Sequence, residues 1–487
     1  MSESAAGMRG DSTGSFRTLT FHGERSGSSA LTWGQKWIWK AVASQAPHFN
    51  HLNLQRLVAV PECRLDAVMA ALTRLVERHE TLRTRFCSDE RNVPRQVVVA
   101  EGTLRVEVAE VGEECLRDAA ARLTERLTAL PFTLPELSCR FGIVTDAGVP
   151  RYAVMVLFHM AADRHSADTI AQELTEMLAA GTADWMPSQD ILQPLDRAAL
   201  EAGEQGRRRS LRAVKHWEKQ IERFPPALLR PRSGEANADH EEIFMHSRAL
   251  HEAVGRIAAH CGATTWSVVV ALASALLGIK SGTSEVGLLL FSHNRFDKNS
   301  TPLSGTVVQD FPSCVRVADL TISEIVDRTS QTVLLAGLCG QYDPDDLART
   351  LERFRERTGR AADLACAVNI SLPQAQEQPP REGAAPGPEA GTGQLHRLAA
   401  GTRLEFKRRL RHEDMKLFLS VWESGPGTMT VALRAGLEFL SRDEISGFLK
   451  DLERLSIHAV SHSHLPLSSV GRLDAFHSAG GPAALTP

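Results

Sequence analysis

The stretch RYAVMVLFHMAADRHSADTIAQELTEML, residues 151–178, decides how the chain is read. Tyr152–Phe158 is an apolar, β-branched-rich run of strand length. His159 stands at its end, and after three small or apolar residues come Asp163 and Arg164. From Ala167 the period becomes helical, with Ile170, Leu174 and Met177 on one face and Ser166 in place as the N-cap. The order is strand, short loop, helix, with an imidazole and a carboxylate on the loop. A loop clamped between two packed elements is a good mount for a general base. Histidine is the side chain whose ordinary pKa suits proton transfer near neutrality. By itself, however, an HxxxD spacing fits a satisfied histidine at a strand end equally well.

Composition bounds the rest. At 487 residues, 43% hydrophobic and 23% charged, the chain has room for two domains and an ordinary globular core. A formal net charge of −4 argues against nucleic acid bound through bulk charge. The eight cysteines form no CxxC pair or regular framework, so reduced thiols in a cytoplasmic protein are expected. No early secretion-like segment and no apolar run of membrane length stands out, so no membrane partner is expected. His458, His462 and His464 are read as a surface cluster with no metal, since no carboxylate or cysteine accompanies them at ligand spacing. No phosphate-binding glycine loop or nucleophile elbow occurs.

From the start, residues 1–28 are rich in Ser, Gly and charge and are expected to be disordered. LTWGQKWIWK, 31–40, suits a helix with a large aromatic load, its tryptophans serving as core anchors. Leu52–Val60 reads as a strand, and Leu65, Val68, Leu72, Leu75 and Val76 line one face of a helix. That helix runs into RHETLRTRF, 78–86, a helix end and an edge strand. Residues 201–240 are an Arg-rich solvated helix and linker. His251–Leu277 reads as one long apolar helix, followed by the buried-type strand VGLLLF, 286–291. Asp343 and Pro344 are an N-cap and first residue for a helix through Arg357. Residues 374–394 read as a flexible loop, Met415–Trp422 and Met429–Leu437 as strands, 441–460 as a closing helix and 471–487 as a disordered tail.

Several of these pieces together carry a resemblance. RHETLRTRF resembles the second core motif of condensation domains from nonribosomal peptide synthetases. LTWGQKWIW is similar to their first motif, Ser-x-Ala-Gln-x-Arg-Leu-Trp, with Gln35 and Trp39 retained. PFTL, 131–134, resembles a PF-x-L step before the active-site strand. FHMAADRHS falls where the family carries His-His-x-x-x-Asp-Gly, with Phe158 for the first His, His159 for the catalytic second His, Asp163 for the structural Asp and Arg164 for the Gly. In the second half the likeness is fainter. SHNR, 292–295, resembles the strand end whose Arg pairs with the motif Asp. GTVVQDFPSCVR, 305–316, is similar to Gly-x-Phe-Val-Asn-Thr-Leu-Pro with Gln309 for the Asn, and AVNISLP, 367–373, to a late strand with an Asn at the tunnel.

The resemblance implies an α/β fold of two chloramphenicol-acetyltransferase-like lobes in a V-shaped pseudo-dimer with a central tunnel, the lobes spanning 29–200 and 241–470. It implies an acyltransferase that joins a thioester on the phosphopantetheine arm of a peptidyl or acyl carrier protein to a small-molecule amine or hydroxyl nucleophile, with no bound cofactor and no metal; as no stretch resembles an adenylation, carrier or thioesterase domain, a freestanding enzyme is expected. A CoA- or lipid-dependent acyltransferase of the same superfamily and a non-catalytic recruitment domain are the alternatives. On this reading His159 is the base. Asp163 is paired with Arg295 to fix the loop, with Arg83 as the second choice. Phe158, Arg164, Gln309 and Asn369 contact substrate. A long Arg164 either points into the tunnel or folds back onto a carboxylate.

Overall fold

The computed structural model describes residues 14–45, 50–91, 93–112, 115–181, 184–188, 190–232, 239–295, 302–372, 388–411 and 413–467. Two compact units emerge. The first lobe is residues 1–208 joined by 295–308; the second is 209–294 with 309–487.

Along the first lobe run β1 (Ser15–His22), β2 (Gly27–Ala30), α1 (Trp33–Gln45), β3 (Leu54–Ala59), α2 (Leu65–Arg78), β4 (Thr84–Ser88), β5 (Pro94–Val98), β6 (Glu101–Glu110), α3 (Leu116–Ala129), β7 (Cys139–Asp146), β8 (Val149–Leu157), α4 (Arg164–Ala180) and α5 (Pro194–Ala202). The main sheet has the order β1-β6-β7-β8-β3, with only β6 and β7 parallel; β2-β5-β4 is a small second sheet. β8 lies inside the main sheet, Leu157 facing Cys139 on one side and Leu54 on the other. Its last five residues are all buried because both faces are covered. Ala153, Met155 and Leu157 join the core beneath α2 and α4. Val154, Val156 and Phe158 join the core under α1 and α3. The strand that carries His159 is thus packed from both sides up to the residue before it.

α6 (Glu204–Ile221) contains the division between the lobes. The second lobe continues with β9 (His240–Ser247), α7 (Arg248–Cys261), α8 (Thr265–Ser281), β10 (Glu285–Ser292), β11 (Gln309–Arg316), α9 (Ile322–Cys339), α10 (Pro344–Thr358), β12 (Cys366–Ser371), α11 (Pro388–Ala399), β13 (Arg403–Leu410), β14 (Leu417–Gly425), β15 (Thr428–Gly436) and α12 (Arg442–His462). Its sheet runs β11-β10-β12-β14-β15-β9-β13. α8 is buried all round, which suits an apolar run such as VVVALASALL. Among the described residues no single helix is long and apolar enough to cross a membrane; α7 and α8 pass that test only as a pair, bent by 106°.

The structure departs from the sequence reading in several places. The polar start is ordered from Ser15: β1 pairs with β6 along its whole length because Leu19 and Phe21 alternate into the core. Residues 1–13 lie outside the described part, as do 373–387 and the tail beyond 467. The helix expected within 201–240 is α6, but the lobes divide inside it, at 208/209, with 295–308 returning to the first lobe. Pro388–Ala399, expected within and just after the loop, is helical. β9 and β13 are strands that the pattern did not announce. The single long helix is two. Gly262 adopts a left-handed φ of 61° and closes α7, and Thr264 caps α8 through the Ser267 N–H.

That break generates a prediction. Gly262→Ala puts a Cβ into a left-handed conformation and should cost about 1 kcal/mol in urea unfolding. No loss of stability would show that the break does not depend on glycine.

Candidate active site

The loop 158–163 is built from hydrogen bonds to its own backbone. The Phe158 N–H donates to Ser138 O (2.9 Å), and Phe158 O accepts from Ala161 N (2.9 Å) and Ala162 N (3.2 Å). The Thr81 hydroxyl, from the RHETLRTRF segment, donates to Ala161 O. Buried polar groups need partners, so this accounting is what holds an otherwise irregular segment still.

His159 is half-buried, and its Nδ1 lies 2.9 Å from Ala162 O. A carbonyl can only accept, so Nδ1 carries the proton and Nε2 presents its lone pair. Burial pushes the imidazole pKa below its ordinary value, against the opposing effects of the Ala162 bond and the Asp163 charge. The ring is therefore held neutral, in one tautomer, and no described residue is hydrogen-bonded to its basic nitrogen. That is the state a general base needs.

Asp163, 3% exposed, faces away from that chemistry. Oδ1 accepts from Ser166 N at 3.0 Å, which makes Asp163, not Ser166, the N-cap of α4. Oδ2 accepts from Arg295 Nη1 at 2.7 Å and from Val307 N at 3.0 Å. Burial pushes the carboxyl up, but the Arg295 charge and these hydrogen bonds outweigh it and hold the pKa below the usual carboxylate range. Arg83, the second choice, serves elsewhere: its guanidinium donates to Arg25 O and Val99 O, both at 2.6 Å. Ser166 is freed for another task. Its hydroxyl lies 2.7 Å from Gly305 O and accepts from Gly305 N (3.0 Å) and Arg295 Nη2 (2.9 Å).

The four residues expected to contact substrate are placed less uniformly. Phe158 is 2% exposed, stacked on Phe132 (5.3 Å between centroids) and edge-on to Phe86 (5.9 Å), so it belongs to the core and not to a substrate surface. Arg164 is the first residue of α4. Its side chain, 61% exposed, turns back along the helix to within 4.0 Å of Asp168. A cation at a helix N-terminus is poorly placed, and the carboxylate four residues on, which accepts from Arg56 at 2.7 Å, offsets it weakly. In the second lobe Gln309 is 1% exposed and committed at both ends to the Tyr342 backbone, donating to its carbonyl at 2.8 Å. A side chain so engaged is not offered to a substrate. Asn369 is half-buried on β12, and no described residue hydrogen-bonds its amide. Thr81, Ser138 and Thr306 were not singled out by the sequence, and Ser166 was read only as an N-cap, because a hydroxyl residue acquires such a role only when the fold brings it a carbonyl.

Two outcomes follow. Asp163→Asn leaves the buried Arg295 without its counter-charge and should cost about 3–5 kcal/mol in urea unfolding. The unfolded Asp163 carboxyl takes up its proton at higher pH than the folded one. Its stabilisation is therefore full above about pH 4 and is lost as pH falls through the folded pKa. A wild-type acid limb matching that of the variant would refute this. Phe158→His, which restores the family's first imidazole, should destabilise by about 1–3 kcal/mol because a polar ring enters an apolar stack. A variant as stable as wild type would refute the packing account.

Comparison with known proteins fits this geometry. A family model described as the condensation domain matches residues 26–479. The chain is 24% identical over 364 residues to AMB antimetabolite synthetase AmbB of Pseudomonas aeruginosa, covering 70% of this chain and 28% of that protein. It is 29% identical over 201 residues to cyclosporin synthetase of Tolypocladium inflatum, covering 40% of this chain and 1% of that protein. It thus spans only a minor part of the length of these curated relatives. Among solved structures, SgcC5 protein from Streptomyces globisporus aligns with a TM-score of 0.68 at 17% identity, over 90% of this chain and 100% of that one. The first condensation domain of the calcium-dependent antibiotic synthetase aligns with a TM-score of 0.63 at 17% identity, over 91% and 98%. At such identities the likeness speaks to fold alone, and that fold is two chloramphenicol-acetyltransferase-like α/β lobes. With the family model matched over nearly the whole chain, this protein belongs to the condensation-domain family of nonribosomal peptide synthesis.

Proposed function

We propose that the chain catalyses condensation between an acyl or aminoacyl thioester on the phosphopantetheine arm of a carrier protein and an amine or hydroxyl nucleophile, giving an amide or an ester. The observation that carries this reading is His159, neutral and with Nδ1 tied to Ala162 O, so that Nε2 is the proton acceptor. The nucleophile adds to the thioester carbonyl carbon while Nε2 takes its proton. The C–S bond then breaks, and the proton passes to the departing sulfur. Asp163 has no part in proton transfer, since both of its oxygens are committed to structure. The family is one of acyl-transferring, amide-forming enzymes, and neither departure from its motif touches the base: Phe158 lies in the core and Arg164 turns towards Asp168.

The test is product formation by the purified chain with a carrier-bound acyl thioester and an amine or alcohol, followed by mass spectrometry. His159→Ala should lower turnover about 10²–10⁴-fold with an unchanged melting curve. Because burial lowers the His159 pKa, the base form persists below the ordinary histidine range. The acid limb of kcat/KM should therefore lie below about pH 6.5. Full activity in the folded His159→Ala variant would overturn the reading. Turnover with acyl-CoA but not with any carrier would replace the donor with a soluble thioester.

A further inference from the structure

Residues 302–307 return to the first lobe as a strap laid over the α4 N-terminus and the His159 loop. It is anchored at every step. Leu192 pairs with it through Leu192 N to Pro302 O (2.8 Å) and Ser304 N to Leu192 O (3.1 Å). The Ser304 hydroxyl lies 2.9 Å from His79 Nδ1, and His79 is held in turn by Glu173. Gly305 is gripped by Ser166 and Arg295, and the Val307 N–H by Asp163. Between these last two, Thr306 is 2% exposed, and its hydroxyl donates to His159 O at 2.7 Å.

We infer that Thr306 is a positioning residue for the catalytic base: through the His159 carbonyl it fixes the peptide from which the imidazole is hung. The inference rests on the base role given to His159 above. Among the described residues the ring itself is hydrogen-bonded only to Ala162 O, three residues away on the same loop. That bond alone lets ring and loop shift together. The Thr306 bond ties the residue to a different chain segment, itself immobilised by the Asp163–Arg295 pair and by the hydroxyls of Ser166 and Ser304. A second, independent observation is Gly34 on α1. A Cβ there would lie 2.4 Å from Thr306 O and 2.7 Å from the Val307 Cα. The glycine standing where the family pattern carries Ala lets the strap backbone lie directly against the helix, and that contact sets how far Thr306 reaches. Displacement of a base by about 1 Å is enough to cost of the order of 10²-fold in rate.

The experiment compares Thr306→Val, which keeps the shape and removes the donor, with Thr306→Ser, which keeps the donor. In steady-state kinetics with the carrier-bound thioester, Thr306→Val should lower kcat about 10- to 100-fold with little change in KM, and Thr306→Ser should recover most of it. In parallel, the full chain is labelled with ¹⁵N-histidine and the His159 signal is assigned by its absence from His159→Ala. Wild type should show one tautomer with Nδ1 protonated, and Thr306→Val a mixture of the two. Should Thr306→Val not fold, Thr306→Ala takes its place beside Thr306→Ser, since both lack the methyl and differ only in the hydroxyl. An unchanged kcat, an unchanged tautomer, or a loss that Thr306→Ser does not recover overturns the inference. If wild type itself shows no condensation, the proposed function fails, and the tautomer measurement still decides the role of Thr306.

Discussion

The buried carboxylate of Asp163 is the constraint on which the first lobe's site depends. One oxygen starts α4 by accepting from Ser166 N; the other joins Arg295 and the Val307 N–H. Neither partner is near in sequence, so this group fastens the strand-loop-helix unit to a segment arriving about 130 residues later. Taking a carboxylate and a guanidinium out of water is costly, and their attraction offsets that cost only when the remaining hydrogen-bond capacity is satisfied. Here the two Asp163 oxygens accept three bonds, and Arg295 also donates to Ser166 Oγ and to Gly305 O. The pair therefore contributes location more than net stability. It determines where the loop ends and where the strap lies.

That division of labour explains which parts of the site were legible in the sequence. His159 and Asp163 stand four apart at a strand end, so pattern alone placed them on one loop. The partnership with Arg295 came from motif resemblance, because no periodicity relates residues 132 positions apart. The hydroxyls of Thr81 and Thr306 stayed invisible, and that of Ser166 was read as a cap, for a physical reason. A hydroxyl is a common surface group, and its meaning depends on a carbonyl that only the folded chain supplies. Gln309 misled in the opposite way. An amide at a motif position reads as a substrate contact, yet it is fully used in binding the Tyr342 backbone.

The fold was legible where burial marks the sequence, as a one-faced period in α2 and as continuous apolar runs in β8, α8 and β10. β8, α2, α8 and β10 are packed on one or both faces, and their sequences show it. β13 was missed because RLEFKRRL lies at a sheet edge with no fully buried position, so its charges obey no inside-outside alternation. β1 was missed because only two of its eight residues are buried. The α7–α8 break hid in a run whose hydrophobicity continues across it. Gly262 and Thr264, not the apolar pattern, carry the stop and start signals there.

The substitution of Phe158 for the family's first histidine becomes intelligible on the same grounds. If that ring organised the loop, its loss would leave His159 on a loose segment. In this chain the loop is organised by its backbone. Ser138 O receives the Phe158 N–H, Thr81 holds Ala161 O, the His159 ring holds Ala162 O, and Thr306 holds His159 O. None of these bonds involves the side chain at 158. What that side chain adds is packing against Phe86 and Phe132, which fills the core beneath the strand end. A polar ring there would need a partner that the stack does not provide. Phe158 is thus compatible with an ordered His159 because the work of ordering lies with the Ser138 carbonyl and the Thr81 and Thr306 hydroxyls, drawn from three distant segments.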